Sequence, residues 1–246
     1  MASKLVGFSP EVLQAIFSKP IFTAHNIKSP SQFWIPLIGL FSGMHLQEIF
    51  NLRCDDISLV SDIWCFTVTD TAQHINAANT TRQVPVHSTL LRLGFRTYFE
   101  DIKKTGAVFL FPEIVTAPGK VSNTTMYRFS CDIFAIANSK NTYGIFHDLR
   151  ENFAHFYFRL GYREDVVPAL IGYGTPNPPN IATLKKAVDL FHPGFDICSS
   201  IKPWLPGTML RIQARKQVRT VDRSLQLPDG SLDAIANTMM KPKRRI

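Results

Sequence analysis

Two pairs of residues in this chain have the types and spacing for anion and proton chemistry. His147 and Arg150 stand three apart in Phe146-His147-Asp148-Leu149-Arg150-Glu151-Asn152-Phe153, so on a helix both side chains emerge on one face. His45 and Glu48 repeat that spacing in Phe41-Ser42-Gly43-Met44-His45-Leu46-Gln47-Glu48-Ile49. A guanidinium presents a planar fork of donors that matches a phosphate bidentately. An imidazole gains or loses a proton near neutral pH. Further reactive groups are scarce. The last tyrosine of the chain is Tyr173, and Arg82 is the only Lys or Arg between Asp70 and His87. An H-x-x-R pair on a helix is by itself a weak signal, because Arg150 can equally serve as an ion-pair partner of Glu48 or Asp148. His45 can equally be a polar core residue. His74, His87 and His192 lack metal-ligand spacing. The four cysteines, Cys54, Cys65, Cys131 and Cys198, form no C-x-x-C pair. No metal, cofactor or disulfide framework is expected, and the reading places the chain in a reducing cytoplasm.

The elements that must position these groups follow from periodicity. Pro10 to Ser18 predicts a short helix capped by Ser9. Ser29 to Phe41 is apolar on most faces and predicts a buried helix, with Pro36 as a kink point. A third helix is expected from His45 to Leu52. Strands are expected over Ile57–Val60, Ile63–Thr69 and Val84–His87, with Asp70–Thr81 as a loose hairpin end. One long helix is expected over Ser88–Lys104, a short extended piece at Phe109–Pro112, a loop over Val115–Ser122, a helix over Thr124–Ala137 and a turn over Asn138–Gly144. Ile145–Leu160 carries the His147/Arg150 pair and buries Phe146, Leu149, Phe153, Phe156 and Leu160 at helical spacing. Glu164–Ile171 is helical despite Pro168. Residues 174–179 form a Pro-rich break, and Asn180 caps a helix through Phe191. Thr208–Arg219 predicts one more basic helix.

At 246 residues and 45% hydrophobic composition the chain can bury a sizeable core. No run of 18 apolar residues is present, so no membrane span is expected. The net charge of +8 is unevenly placed. Residues 202–246 hold ten Lys or Arg against three Asp or Glu, while residues 1–201 hold seventeen against sixteen. The body is therefore close to neutral. The tail, ending in Lys241, Lys243, Arg244 and Arg245, is either a solvated, solubilising segment or a grip on a polyanion.

Taken in order, the segments resemble the catalytic domain of the tyrosine recombinases, the phage-integrase family. Phe41–Ile49 is similar to the family's first box, G-x-R-x-x-E. Arg82-Gln83-Val84-Pro85-Val86-His87 resembles the strand that closes its small sheet. Phe146–Phe153 resembles the H-x-L-R box, and Leu170-Ile171-Gly172-Tyr173 stands where the family writes L-x-G-H. The resemblance spans roughly residues 30–190. It implies an α+β, mainly α fold with a small three-stranded antiparallel sheet. Residues 1–192 would be the catalytic-like domain and residues 193–246 a basic C-terminal extension. Residues 1–29 are too few for the second, DNA-clamping domain of that family, so the reading expects half a clamp.

The resemblance also implies a damaged centre. Arg150 and His147 match the second box, and Glu48 matches the first-box glutamate. The first-box arginine falls on His45, and the last-box histidine on Tyr173. The hairpin lysine has no counterpart, and the position of the attacking tyrosine falls near Ala182, among Pro, Asn, Ile, Ala and Thr. His45, Glu48, His147, Arg150 and Tyr173 are thus expected as a vestigial site, with Arg150, His147, Arg82, Lys241, Lys243, Arg244 and Arg245 as DNA contacts. The function implied is a catalytically inactive recombinase-like protein of a mobile element. It would bind DNA, recombination partners, or its own copies through the C-terminal segment. Two alternatives stand beside it: an active recombinase with an atypical centre or a partner-supplied nucleophile, and a protein–protein module without DNA binding.

Overall fold

The structure is a computed structural model that describes residues 7–24, 27, 29–69, 81–115, 145–162, 165–175, 177–209 and 212. The chain divides into two compact units, residues 1–207 and 208–246. The described part of the first unit is mainly α-helical with one three-stranded antiparallel sheet. The loop over 116–122, the helix over 124–137, the turn over 138–144, most of the 70–81 hairpin end and the 241–245 cluster lie outside the described residues. Of the 208–219 span, residues 208, 209 and 212 are described, and they are helical. Among the described residues no helix is long and apolar enough to cross a membrane.

The core is organised around α3 (Pro30–Ser42), which is buried on nearly every side. Its composition explains this, since a helix apolar all round has no face to give to water. Pro36 sits inside α3, and the helix runs through it, so packing on all sides outweighs the lost backbone hydrogen bond. α1 (Pro10–Phe17) begins as expected, with Ser9 accepting from the Val12 amide. A further short helix, α2 (Pro20–Thr23), follows it. α3 ends on Gly43 in the left-handed conformation (φ 65°). A Cβ there would lie 2.5 Å from Phe153, so only glycine permits both the turn and the packing.

α4 (Leu46–Phe50) follows, with His45 as the residue before its first turn. β1 (Ile57–Val60) and β2 (Ile63–Thr69) are where the pattern places them, joined by left-handed Ser61 and Asp62. β3 runs Thr81–Pro85 rather than Val84–His87. Polar Thr81, Arg82 and Gln83 pair with Thr69, Val68 and Thr67, a pairing that their hydrophilic character disguises. Val86 still donates to the Trp64 carbonyl at 2.7 Å, and His87 turns the chain into the next helix.

The expected helix over 88–104 is two helices, α5 (Ser88–Arg92) and α6 (Phe95–Lys104). They break at Gly94, whose φ is 91°, because the Trp204 backbone packs directly on it and Trp204 donates to the Leu93 carbonyl at 2.7 Å. Trp204 closes an aromatic cluster with Phe33, Trp34 and Tyr98. α7 (Ile145–Arg159) packs on α3. Phe146, Leu149 and Phe153 are buried as expected, but Leu160 is exposed and Tyr157 takes the inward place, its hydroxyl donating to the Ala187 and Val188 carbonyls. α8 (Val166–Ile171) is capped by Asp165. Pro168 lies in its first turn, where a missing N–H costs nothing. α9 (Ile181–Leu190) is capped by Asn180, and α10 (Ile197–Ser200) by Asp196.

Candidate functional site

Four elements deliver the site. The C-terminus of α3 supplies the Gly43 carbonyl, α4 supplies Glu48 with His45 just before it, β3 supplies Arg82, and α7 supplies Arg150. The turn after α8 adds Gly172 and Tyr173. Arg150 comes from the inward face of α7 and is 4% exposed. Its Nη1 donates to the Gly43 carbonyl at 2.8 Å. That carbonyl is available because the left-handed cap ends the helix there. The Arg150 guanidinium lies 5.5 Å from the Tyr173 ring centre, in cation–π range. Among the described residues its Nη2 is buried without a hydrogen-bond partner.

Glu48 is engaged twice through one oxygen. Oε2 accepts from the His45 backbone amide at 2.8 Å and from Arg82 Nη2 at 2.7 Å. The first contact caps α4. The second is an ion pair whose side chains are 15% and 19% exposed. Arg82 Nε donates in turn to the Leu170 carbonyl at 3.0 Å. Arg82 thereby ties β3 to α4 and to the end of α8. Gly172 is required here, since a Cβ on it would come within 2.8 Å of Arg82 Nη1.

The electrostatics bind these groups into one neighbourhood. Partial burial pushes the His45 imidazole below the usual histidine range, and the Arg150, Arg82 and His147 charges push it the same way against the opposing pull of Glu48. His45 is therefore a neutral imidazole at pH 7. Burial also pulls the Arg150 guanidinium down from the ordinary arginine range, while Tyr173 and Glu48 favour its charge. Arginine remains protonated throughout. Burial raises the Asp148 carboxyl.

His45, Glu48, Arg82, Arg150 and Tyr173 are thus brought together, and His147 stands in the same field. His147 and Arg150 do not share an environment, however. Arg150 is folded under α7, and the His147 side chain is 68% exposed, 3.7 Å from Glu151. The ion pair open to Arg150 in the sequence goes elsewhere: Glu48 takes Arg82, and among the described residues Arg150 forms no ion pair. Lys241, Lys243, Arg244 and Arg245 lie outside the described residues. Sequence reasoning missed the Gly43 and Leu170 carbonyls and the seat at Gly172. The signals for the glycines were present, a helix-ending Ser42-Gly43 and an Ile171-Gly172 turn, but backbone acceptors leave no mark in side-chain patterns.

Chemically, the group offers donors and positive charge to an acceptor. Among the described residues it gathers the Arg82 and Arg150 guanidiniums, the His45 imidazole and the Glu48 carboxylate. Ala182, near the expected position of an attacking tyrosine, is exposed in the first turn of α9. Tyr173 is 74% exposed with its ring against Arg150.

No protein-family model matches the chain, and no curated protein matches it. Among solved structures it is similar to the XerH site-specific recombinase bound to difH substrate, in a pre-cleavage complex, at 16% identity and a TM-score of 0.49, with 80% of this chain covered. The chain spans 52% of that recombinase chain.

Proposed function

We propose that this chain is a catalytically inactive tyrosine-recombinase-like protein that holds DNA by its backbone phosphates and acts with recombination partners of a mobile element. The observation that carries this reading is Arg150. A cationic fork at 4% exposure keeps Nη2 without an acceptor. Leaving such a donor unmatched costs about 1–3 kcal/mol. A phosphate oxygen would supply the missing acceptor and charge. Arg82 and His147 add contacts at the rim, and the 241–245 cluster adds a sequence-independent grip. The near-neutral body makes the affinity modest and dependent on the tail or on a partner. The inactivity in this reading rests on the sequence, since the position where an attacking tyrosine would fall lies near Ala182, and without such a group charge stabilisation alone produces no covalent intermediate.

The test is a gel-shift titration of full-length protein on duplex DNA at several salt concentrations. Affinity should fall steeply with salt, and the slope should flatten when residues 241–245 are removed. Binding indifferent to salt, or none at low salt, would refute the reading.

One observation favours a second reading, an active recombinase with an atypical centre: Tyr173 is exposed with its ring against the Arg150 guanidinium. A suicide DNA substrate decides between the two. A covalent adduct mapping to Tyr173 establishes the second reading, and its absence under binding conditions leaves the first.

A further inference from the structure

We propose that Arg82 is a second anion-binding guanidinium of this pocket and that Glu48 holds it in reserve, giving it up when a phosphodiester oxygen arrives. The proposal rests on the phosphate-holding reading of Arg150 and adds a gate to it.

The charges here are unevenly paired. Glu48 accepts from the Arg82 guanidinium and the His45 amide, both at Oε2, and among the described residues it makes no ion pair with Arg150. The Arg82 charge works against the Arg150 charge, so the two guanidiniums stand in one field. One carboxylate cannot compensate both. A dianionic or diester oxyanion beside Arg150 Nη2 would relieve that repulsion, which a neutral ligand would not. Arg82 is also held in a way that aims it. Nε is pinned on the Leu170 carbonyl, and the guanidinium lies flat along Gly172, where any Cβ would push it away. That leaves the Glu48 contact as the exchangeable one. It joins two side chains 15% and 19% exposed, at the mouth rather than in the core. Glu48 keeps a role after Arg82 leaves, because its His45 amide contact still caps α4.

The experiment is a double-mutant cycle on the full chain, read by fluorescence anisotropy on a short duplex across a salt series, with circular dichroism as the folding check. Arg82→Gln should bind about tenfold more weakly, as one lost charge-assisted contact implies, with a salt slope reduced by about one. Glu48→Gln preserves an acceptor for the His45 amide but removes the competing charge. It should bind about two- to fivefold more tightly. In the double variant that gain should vanish, because the guanidinium that Glu48 restrains is gone. If Arg82→Gln binds like the parent, or if the Glu48→Gln gain persists without Arg82, then Arg82 is only a strut and the proposal is overturned. Should Arg82→Gln fail to fold, Arg82→Lys replaces it in the cycle. It keeps charge but not the fork, and binding equal to the parent would again overturn the idea. Inorganic pyrophosphate separates this proposal from the DNA reading. If the parent ignores duplex DNA, a pyrophosphate-induced thermal shift lost in the Arg82 variant supports the anion site alone, and no shift, or one that survives, rejects it.

Discussion

Two clusters of charge sit at opposite ends of the matching problem. Where α9 meets the start of α5, every donor has found an acceptor. Lys185 Nζ donates to the Val86 carbonyl at 2.8 Å, to Ser88 Oγ at 3.0 Å and to Asp189 at 2.9 Å. Asp189 also accepts from the Ser88 amide and hydroxyl. His87 is held at both ring nitrogens, accepting at Nδ1 from the Thr89 amide and facing the Phe191 carbonyl through Nε2. The Arg150 pocket is the reverse. It is more buried and richer in cations, and among the described residues one guanidinium nitrogen is unmatched. A closed network is what stability alone selects. An open one, kept at a cost, indicates a group waiting for something outside the fold. The two can therefore be told apart by asking which loses stability and which loses binding when broken.

The largest effect should come from Arg150→Met. In this substitution the fork and charge disappear while the volume remains. Binding to duplex DNA should weaken about a hundredfold, in the range for truncating a buried charged contact. Stability should change by no more than about 1 kcal/mol, since the lost Gly43 contact is offset by relief of the buried charge. A denaturant titration measures the second quantity. A large loss of stability with binding intact would place Arg150 in the same class as Lys185.

The closed cluster makes the opposite prediction, read through pH. Burial drives the His87 imidazole down to about 4 from its ordinary 6.5, against the pull of Asp189 and the Phe191 carbonyl, with Lys185 and Arg92 adding to the depression. The folded protein then takes up a proton less readily than the unfolded chain. Stability is full above about pH 6.5 and is lost as pH falls from there toward 4. Asp189 acts in the same direction. Its carboxyl lies below the usual range because Lys185 and Ser88 outweigh the burial that would raise it, so stability falls as it protonates. Between pH 6.5 and 5 the unfolding free energy should drop by about 2 kcal/mol, and His87→Gln should flatten that slope. An unchanged slope in the variant would remove His87 as the cause.

The contrast also marks how far the sequence was readable. The helix through Arg150, the first two strands, and the caps at Ser9 and Asn180 follow from period and capping residues that act locally, while the mainly α architecture with a three-stranded sheet is what the resemblance implied. The failures are tertiary. Gly94 splits a helix because Trp204, over a hundred residues away, packs on it. β3 begins early because Thr67 and Thr69 offer partners to polar residues. At the site, spacing identified His45, Glu48 and Arg150. It could not show that Glu48 chooses Arg82 over Arg150, because that choice depends on where β3 crosses the end of α8.

The smallest effect sharpens the contrast at one ring. Tyr173 is 74% exposed and contributes little burial, so what it offers Arg150 is a π face for the cation together with a hydroxyl that also favours the guanidinium charge. Such a contact is worth about 0.5–1 kcal/mol at an exposed position. Tyr173→Phe keeps the face and should bind DNA and unfold as the parent does. Tyr173→Leu keeps apolar cover without the quadrupole and should weaken binding by about threefold, because the guanidinium loses the partner that holds its plane. The order of these two variants is the informative result. If Phe and Leu are equally harmful, the hydroxyl rather than the ring is what matters, and the case for a tyrosine with its own chemistry gains at the expense of an inert phosphate grip.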